Sequence, residues 1–284
     1  MRLLKYTRKS KNIDENDLQE EAMFLDQIGQ YWNTRAQGYS NTINEQFEGE
    51  IYEYFNGYLR KCAPEGENIK CVDMGCGPGY FSILLAKMGY EVTAFDYSEG
   101  MLEKARENFA AKGVNPKTVQ GDVQNPPFED ESVDYIVSRN LIWNLEQPEQ
   151  AYKEWIRILK PGGRILIFDA NHYLHYFDEE YDQARETIKQ KRIQEECMKK
   201  ENGVLTKIAV EGHKYMDGVN PKIIDDIARE LPLSKEYRPQ WDVNQMLRLG
   251  MDNINVSVSR RRVNEDDASK CVVGDFVLCV EKPM

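Results

Sequence analysis

The chain has 284 residues, 41% of them apolar and 30% charged, with a formal net charge of −11. That length buries a large core, and the composition is that of a soluble globular protein. The negative balance opposes broad phosphate-backbone binding, and no apolar run approaches the ~20 residues that span a bilayer.

The opening MRLLKYTRKSKN is basic but lacks an apolar core and a small-residue cleavage site, so it reads as a mobile arm and not as a signal peptide. Leu18, Ala22, Leu25, Ile28 and Trp32 recur at helical spacing over residues 14–38. A second helix is expected to start after Ser40 and to run through Ile43, Phe47, Ile51, Phe55 and Leu59. Then the pattern changes. IKCVDMG reads as a buried strand, YFSILLAKMG as a helix closed by Gly89, and EVTAFD as a second strand. Ser98 suits the N-cap of a helix that buries Met101, Leu102, Ala105 and Phe109 and stops at Gly113. KTVQGD and VDYIVSRN are further strands. Pro148 opens a helix that buries Tyr152, Trp155, Ile156 and Leu159, and LKPGG turns the chain into a fifth strand, RILIFDA.

Strands alternating with helices predict a parallel sheet covered on both faces. INVSVSRR and CVVGDFVLCVEK are separated by a few polar residues and should pair as an antiparallel hairpin. Residues 172–250 exceed what a crossover needs and are mainly helical by pattern, first at Phe177, Tyr181, Ala184 and Ile188, then at Ile223, Ile224, Ile227 and Leu231. The expected fold class is therefore α/β: a seven-stranded, mostly parallel sheet with an antiparallel C-terminal hairpin and a helical lid insertion. The expected units are a helical cover (1–62), an α/β core (63–171), the lid (172–250) and the hairpin (251–284). Six cysteines show no C-x-x-C spacing, which argues against a zinc ribbon or a dithiol motif and fits a reducing cytoplasm.

Residues 72–80 read VDMGCGPGY, with Gly75, Gly77 and Gly79 alternating behind Asp73. A triphosphate loop needs Gly-Lys-Ser/Thr after the turn, but Tyr80 and Phe81 follow Gly79. A dinucleotide turn needs G-x-G-x-x-G, and in that register Tyr80 replaces the third glycine. The turn can still approach a ligand closely, while Asp73 repels phosphate and favours a cation or an amine. Asp96 ends the next strand, where a carboxylate accepts both ribose hydroxyls. Asp122, in GDVQNPPF, stands where it can accept the exocyclic amine of an adenine. An adenosine with a cationic tail and no phosphate is S-adenosylmethionine.

These stretches resemble the motifs of the class I, seven-stranded S-adenosylmethionine-dependent methyltransferases. VDMGCGPGYFSILLA is similar to the family's first motif, VTAFDYSEGMLEKAR to its second, QGDVQNPPFEDESVDYIVS to its third, and ILKPGGRILI to the segment that follows. YWNTRAQGYS resembles the N-terminal helix that small-molecule members fold over the cofactor. The resemblance implies cofactor contacts from Tyr31, Arg35 and Tyr39 in that helix and from Asp73, Gly75, Cys76 and Gly77 at the turn. It further implies them from Asp96, Tyr97, Met101, Asp122, Val123, Arg139 and Asn140. Plain helix packing is the competing reading for Tyr31 and Tyr39.

The fourth and fifth strands end in SRNLIWNL and DANHYLHYF, so Asn140, Trp143, Asn171, His172 and Tyr173 are candidates for the acceptor side. His172 and Asn140 are the catalytic candidates; Trp143, Tyr173 and Tyr176 are the substrate candidates. Core packing is the other reading of Trp143, and Asp134 reads as structural. His172 and His175 would share a helix face, yet no metal-binding spacing accompanies them and no metal is expected. The leading expectation is methylation of a small molecule, with no nucleic acid or membrane as partner. The alternatives are RNA or protein methylation, or a non-catalytic nucleoside-binding role. The tetrad N-P-P-Y or D-P-P-Y, a mark of amino-group methylation, is replaced after the fourth strand by SRNL.

Overall fold

Strands buried on both faces belong in the middle of a sheet, and the burial follows that rule. In a computed structural model, which describes residues 15–201, 218–264 and 267–284, β1 (Lys70–Met74) and β4 (Val133–Arg139) are almost wholly buried. They are flanked by β2 (Glu91–Asp96) and the short, exposed edge strand β3 (Lys117–Gln120) on one side. On the other side lie β5 (Leu159–Ala170), β7 (Asp267–Glu281) and β6 (Asp252–Asn264). Among the described residues the sheet has seven strands in the order β3-β2-β1-β4-β5-β7-β6. The first five are parallel, and β7 runs antiparallel between β5 and β6. The α/β class and the terminal hairpin are as the sequence implied.

Alternate residues of each strand serve the two faces. Val72, Ile136, Ile165 and Leu278 pack with Trp155 and Ile158 of α5 (Pro148–Ile158) and with Met246 of α8 (Gln240–Arg248). Cys71, Tyr135, Leu166 and Val277 pack with Leu84 and Leu85 of α3 (Tyr80–Lys87) and Leu59 of α2 (Gly49–Lys61). On α4 (Glu99–Lys112) the Ser98 hydroxyl caps the helix by accepting from the Met101 N–H, and Gly113 ends it at φ 68°.

Two boundaries differ from the sequence reading. Helix α1 (Glu15–Asn44) runs straight through Ser40, whose buried hydroxyl accepts a 3.0 Å bond from Asn108 Nδ2. A tertiary partner therefore satisfies the serine inside the helix, and the break falls at residues 45–48. KPGG is not a free turn either. The β4–β5 register shifts between Val133 and Tyr135, and the glycines pair with the chain's end: the Gly162 N–H donates to Lys282 O and the Lys282 N–H to Gly163 O, both at 2.9 Å. Leu159 accordingly starts β5 and does not close α5.

The insertion supplies α6 (Glu179–Glu201), α7 (Lys222–Glu230) and α8. The expected basic arm, His213 and Tyr215 lie outside the described residues. Among those described, no helix is long and apolar enough to cross a membrane.

Candidate cofactor and acceptor site

The strand order reverses between β1 and β4, which opens a crevice at their carboxyl ends. The glycine turn sits there. Gly75, Gly77 and Gly79 take φ of 65°, 52° and 86°, a region that disfavours side chains. Space adds a second constraint: a Cβ on Gly75 would lie 2.6 Å from Leu141, and one on Gly79 would lie 2.4 Å from Phe109.

Asp96 is tied to this turn. Its Oδ2 accepts from the Gly77 N–H at 2.8 Å and its Oδ1 from the Ser98 N–H at 2.9 Å. Each oxygen has a further lone pair to offer a ligand. Burial pushes the carboxyl up to about 6 in spite of those bonds. Asp73 lies deeper. Its Oδ2 accepts both the Ser82 N–H (2.9 Å) and hydroxyl (2.6 Å), which pins the start of α3 to β1. Burial pushes it up to about 7, so its charge beside the turn is weaker than the sequence suggests.

A cavity opens beside the turn. It gathers Tyr39, Gly75, Gly77, Asp96, Tyr97, Met101, Asp122, Val123, Arg139 and Asn140. Asp73 and Cys76 line a smaller space that shares Tyr39, Gly75, Gly77 and Arg139 with it. Arg139 is the cation common to both; it donates to Gln46 Oε1 at 2.9 Å and rests 4.3 Å over the Phe55 ring.

Tyr31 and Arg35 are not among the cavity's lining residues. They are buried together on α1, where Arg35 hydrogen-bonds Tyr31, and Tyr31 packs with Trp143, Ile224 and Ile227. The roof is instead Leu25, Ile28, Gly29 and Trp32 of the same helix. Its apolar spacing was legible, but as core packing. What fixes α1 there is local: a Cβ on Gly29 would lie 2.7 Å from the Tyr97 ring, so the glycine lets that ring lie against the helix. The Tyr97 hydroxyl donates to Asp26 at 2.6 Å, and Asn33 Oδ1 accepts from the Ser98 hydroxyl and the Gly100 N–H.

Asn140 follows β4 at φ 53°, a left-handed conformation that Asn adopts more readily than most residues. Its carbonyl accepts from Trp143 Nε1 at 2.9 Å. Trp143, His172, Tyr173 and Tyr176 are brought together, but as an aromatic stack and not as cavity lining: Trp143 lies 5.4 Å from His172 and 5.0 Å from Tyr173, which stacks at 5.9 Å on Tyr176. The two histidines do not share a helix face. His172 precedes the tight turn Leu174–Tyr176, with its Nε2 3.3 Å from Asp169 Oδ1, whereas His175 lies on Tyr176 at 4.2 Å. Among the described residues no cluster of three or more His, Cys, Asp or Glu is arranged to hold a metal.

Sequence reasoning missed two features. The first is a buried ionic chain from β5 to α8. Arg238, 1% exposed, pairs with Asp169 at 2.7 Å and with Asp242 at 2.7 and 2.9 Å, and Tyr152 donates to Asp242. Burial raises the Asp169 carboxyl, but Arg238 and His172 outweigh it and hold it below the usual range. Asn171, expected near the acceptor, brackets the Arg238 backbone instead. The second is Asn144, which is 5% exposed and lines the cavity with an Oδ1 that has no partner.

The family model for the methyltransferase domain matches residues 72–167, the stretch that builds the turn, Asp96, Asp122 and Asn140. Residues 72–167 thus match a methyltransferase domain, set within a seven-stranded, Rossmann-like α/β fold. A demethylmenaquinone methyltransferase of Staphylococcus aureus is 39% identical over 132 residues, 45% of this chain and 54% of that one. The chain thus spans about half the length of the curated relatives it matches. Two solved structures share the fold. One is the phosphoethanolamine N-methyltransferase 2 of Haemonchus contortus, 16% identical with a TM-score of 0.60 over 92% of this chain and 61% of that one. The other is a SAM-dependent methyltransferase of Thermotoga maritima, 20% identical with a TM-score of 0.51 over 89% of this chain and all of the other.

S-adenosylmethionine is the methyl donor of this domain family, and the residues fit it. The cavity offers carboxylates to hydroxyls and an amine, one cation to a carboxylate and an unpartnered amide oxygen. Asp96 would hold the ribose, Asp122 and Val123 the adenine, and the glycine turn with Arg139 the amino-acid end.

Proposed function

We propose that this protein is an S-adenosylmethionine-dependent methyltransferase acting on a small molecule. The observation that carries the reading is the cavity roofed by α1 on one side and bounded by the strand ends on the other. A polymer substrate needs an open groove, and the net charge of −11 opposes a nucleic acid. The wall beyond Asn140 is apolar, formed by Leu141 and Leu145 facing Leu25, Ile28 and Trp32, which suits a flat or apolar acceptor.

When bound, S-adenosylmethionine supplies a methyl group on a sulfonium whose thioether is a good leaving group. The chain's own residues orient and enclose. Alignment of this kind lowers a barrier by about 7–11 kcal/mol. The Trp32 and Tyr39 rings, 5.8 Å apart, exclude water and favour a cation, while Asn140 presents its side chain at the strand end. The test is release of S-adenosylhomocysteine, measured with a demethylated naphthoquinol and with small primary amines as acceptors. Turnover with either class supports the reading. Turnover confined to RNA or to protein would overturn it.

A further inference from the structure

A second cavity lies between α2 and the hairpin and is lined by Lys61, Cys62, Arg164, Asn255 and Cys279 among others. Arg164 pairs with Tyr135 near the start of β4 and with Glu281 near the end of β7, so this cavity sits at the opposite end of the sheet from the glycine turn. Cys62 closes α2 and Cys279 lies on β7, far apart in sequence, yet both line this one cavity and their thiols are near enough to perturb each other's ionisation. No spacing motif announces the pair; only the packing of α2 on the hairpin creates it.

The two sulfurs are not equivalent. The neighbouring Cys279 thiol, helped by the charges of Lys61 and Arg164, holds the Cys62 thiol below its ordinary value in spite of burial. The same pairing, together with burial, pushes Cys279 up and keeps the proton on it. Cys71 and Cys76 are core residues whose thiols burial pushes up, which makes them inert.

We propose that Cys62 and Cys279 form an oxidative modification site at which a hydroperoxide converts the two thiols into a disulfide that staples α2 to β7. The Cys62 thiolate attacks one peroxide oxygen. The S–O bond forms, the O–O bond breaks, and the released hydroxide takes a proton from solvent, so sulfur is oxidised and peroxide reduced. The Cys279 sulfur then attacks the sulfenic sulfur; the S–S bond forms, the S–O bond breaks, and water leaves with the Cys279 proton. Only residues 45–48 separate α2 from the roof helix α1, so the staple fixes the far end of that helical pair.

The experiment is titration of the full chain with hydrogen peroxide, followed by non-reducing digestion and mass spectrometry. The expected result is loss of two hydrogens, a cross-linked peptide joining Cys62 to Cys279, and reversal by dithiothreitol. Cys279→Ser should stop at a sulfenic acid on Cys62 that dimedone traps, and Cys62→Ser should leave Cys279 unmodified. Oxidation of Cys62 no faster than that of Cys71, or a linkage to another cysteine, would overturn the proposal. The wild-type cross-link decides the matter even if either variant fails to fold.

Discussion

Asp96 offers the sharpest test of where the ribose lies. Asp96→Ala is a poor choice, because it orphans the Gly77 and Ser98 N–H groups together, at about 1–3 kcal/mol each. Asp96→Asn keeps the shape and one of the two acceptors while removing the charge. A charge-assisted bond to a hydroxyl contributes about 1.5–3 kcal/mol, so Kd for S-adenosylhomocysteine should rise about 10- to 150-fold.

The pH dependence gives an independent signature. Burial sets the free carboxyl at about 6, and the ligand's hydroxyls need the ionised form. Wild-type affinity should therefore be flat above pH 6 and weaken about tenfold per unit below it, whereas Asp96→Asn should show no such slope. Calorimetry across that range is the assay. A variant within about threefold of wild type, with the slope intact, would show that the ribose is held elsewhere.

Three further outcomes follow from the same geometry. Asn144→Leu removes a buried amide oxygen that has no partner, so the free protein should gain thermal stability while turnover falls; unchanged turnover would leave Asn144 as packing alone. Arg238→Met leaves Asp169 and Asp242 buried without their cation and should cost about 3–5 kcal/mol in denaturant unfolding, a loss that a well-folded variant would contradict. The Asp169 carboxyl lies below its usual range when folded, so its contribution is present at neutral pH and disappears as acid protonates it. Hydrogen exchange should slow on adding S-adenosylhomocysteine in residues 24–40 far more than in residues 238–248, and equal protection would count against α1 as the moving part.

The alternating core was legible because each strand and helix there has its own local signals: Gly89, Ser98, Gly113 and Pro148 punctuate apolar runs of the right period. The same holds for Asp96 and Asp122, which stand at strand ends that the period locates. The roof was not legible, because Leu25, Ile28 and Trp32 have the same spacing whether a helix covers a core or a cavity. Nor was the break after α1, since Ser40 looks like a cap until Asn108, distant in sequence, is seen to donate to it. The aromatic stack was misplaced for a related reason. Strand ends put His172 and Trp143 near the site, but Asp169 and the Asn140 carbonyl draw them into a layer beside it.

The C-terminal end of the expected lid, residues 172–250, and the roof helix α1 are held by bonds of different strength. That end of the lid is anchored by Arg238 between two carboxylates that are 0% exposed, and α8 packs into the main core beside Tyr152 and Trp155. Separating such a buried pair costs about 3–5 kcal/mol, so this end is frame. The roof helix α1 is held on the other flank by the Tyr97–Asp26 bond and by Asn33 on Ser98 and Gly100, at sites that are exposed or half-buried. The Asn33 bonds are neutral and contribute only about 0.5–1.5 kcal/mol each; the Tyr97 bond to the Asp26 carboxylate is charge-assisted, but it is exposed and screened by solvent. Both sides of this latch lie next to Asp96: Tyr97 and Ser98 follow it in sequence, and the Ser98 N–H is already its ligand. A ribose hydroxyl placed on Asp96 therefore acts on the segment that holds the roof, and filling the cavity adds apolar contact to Leu25, Ile28 and Trp32. On the proposed function, ligand binding should therefore be coupled to closure of α1, with an acceptor admitted under that helix and not through the anchored end of the insertion.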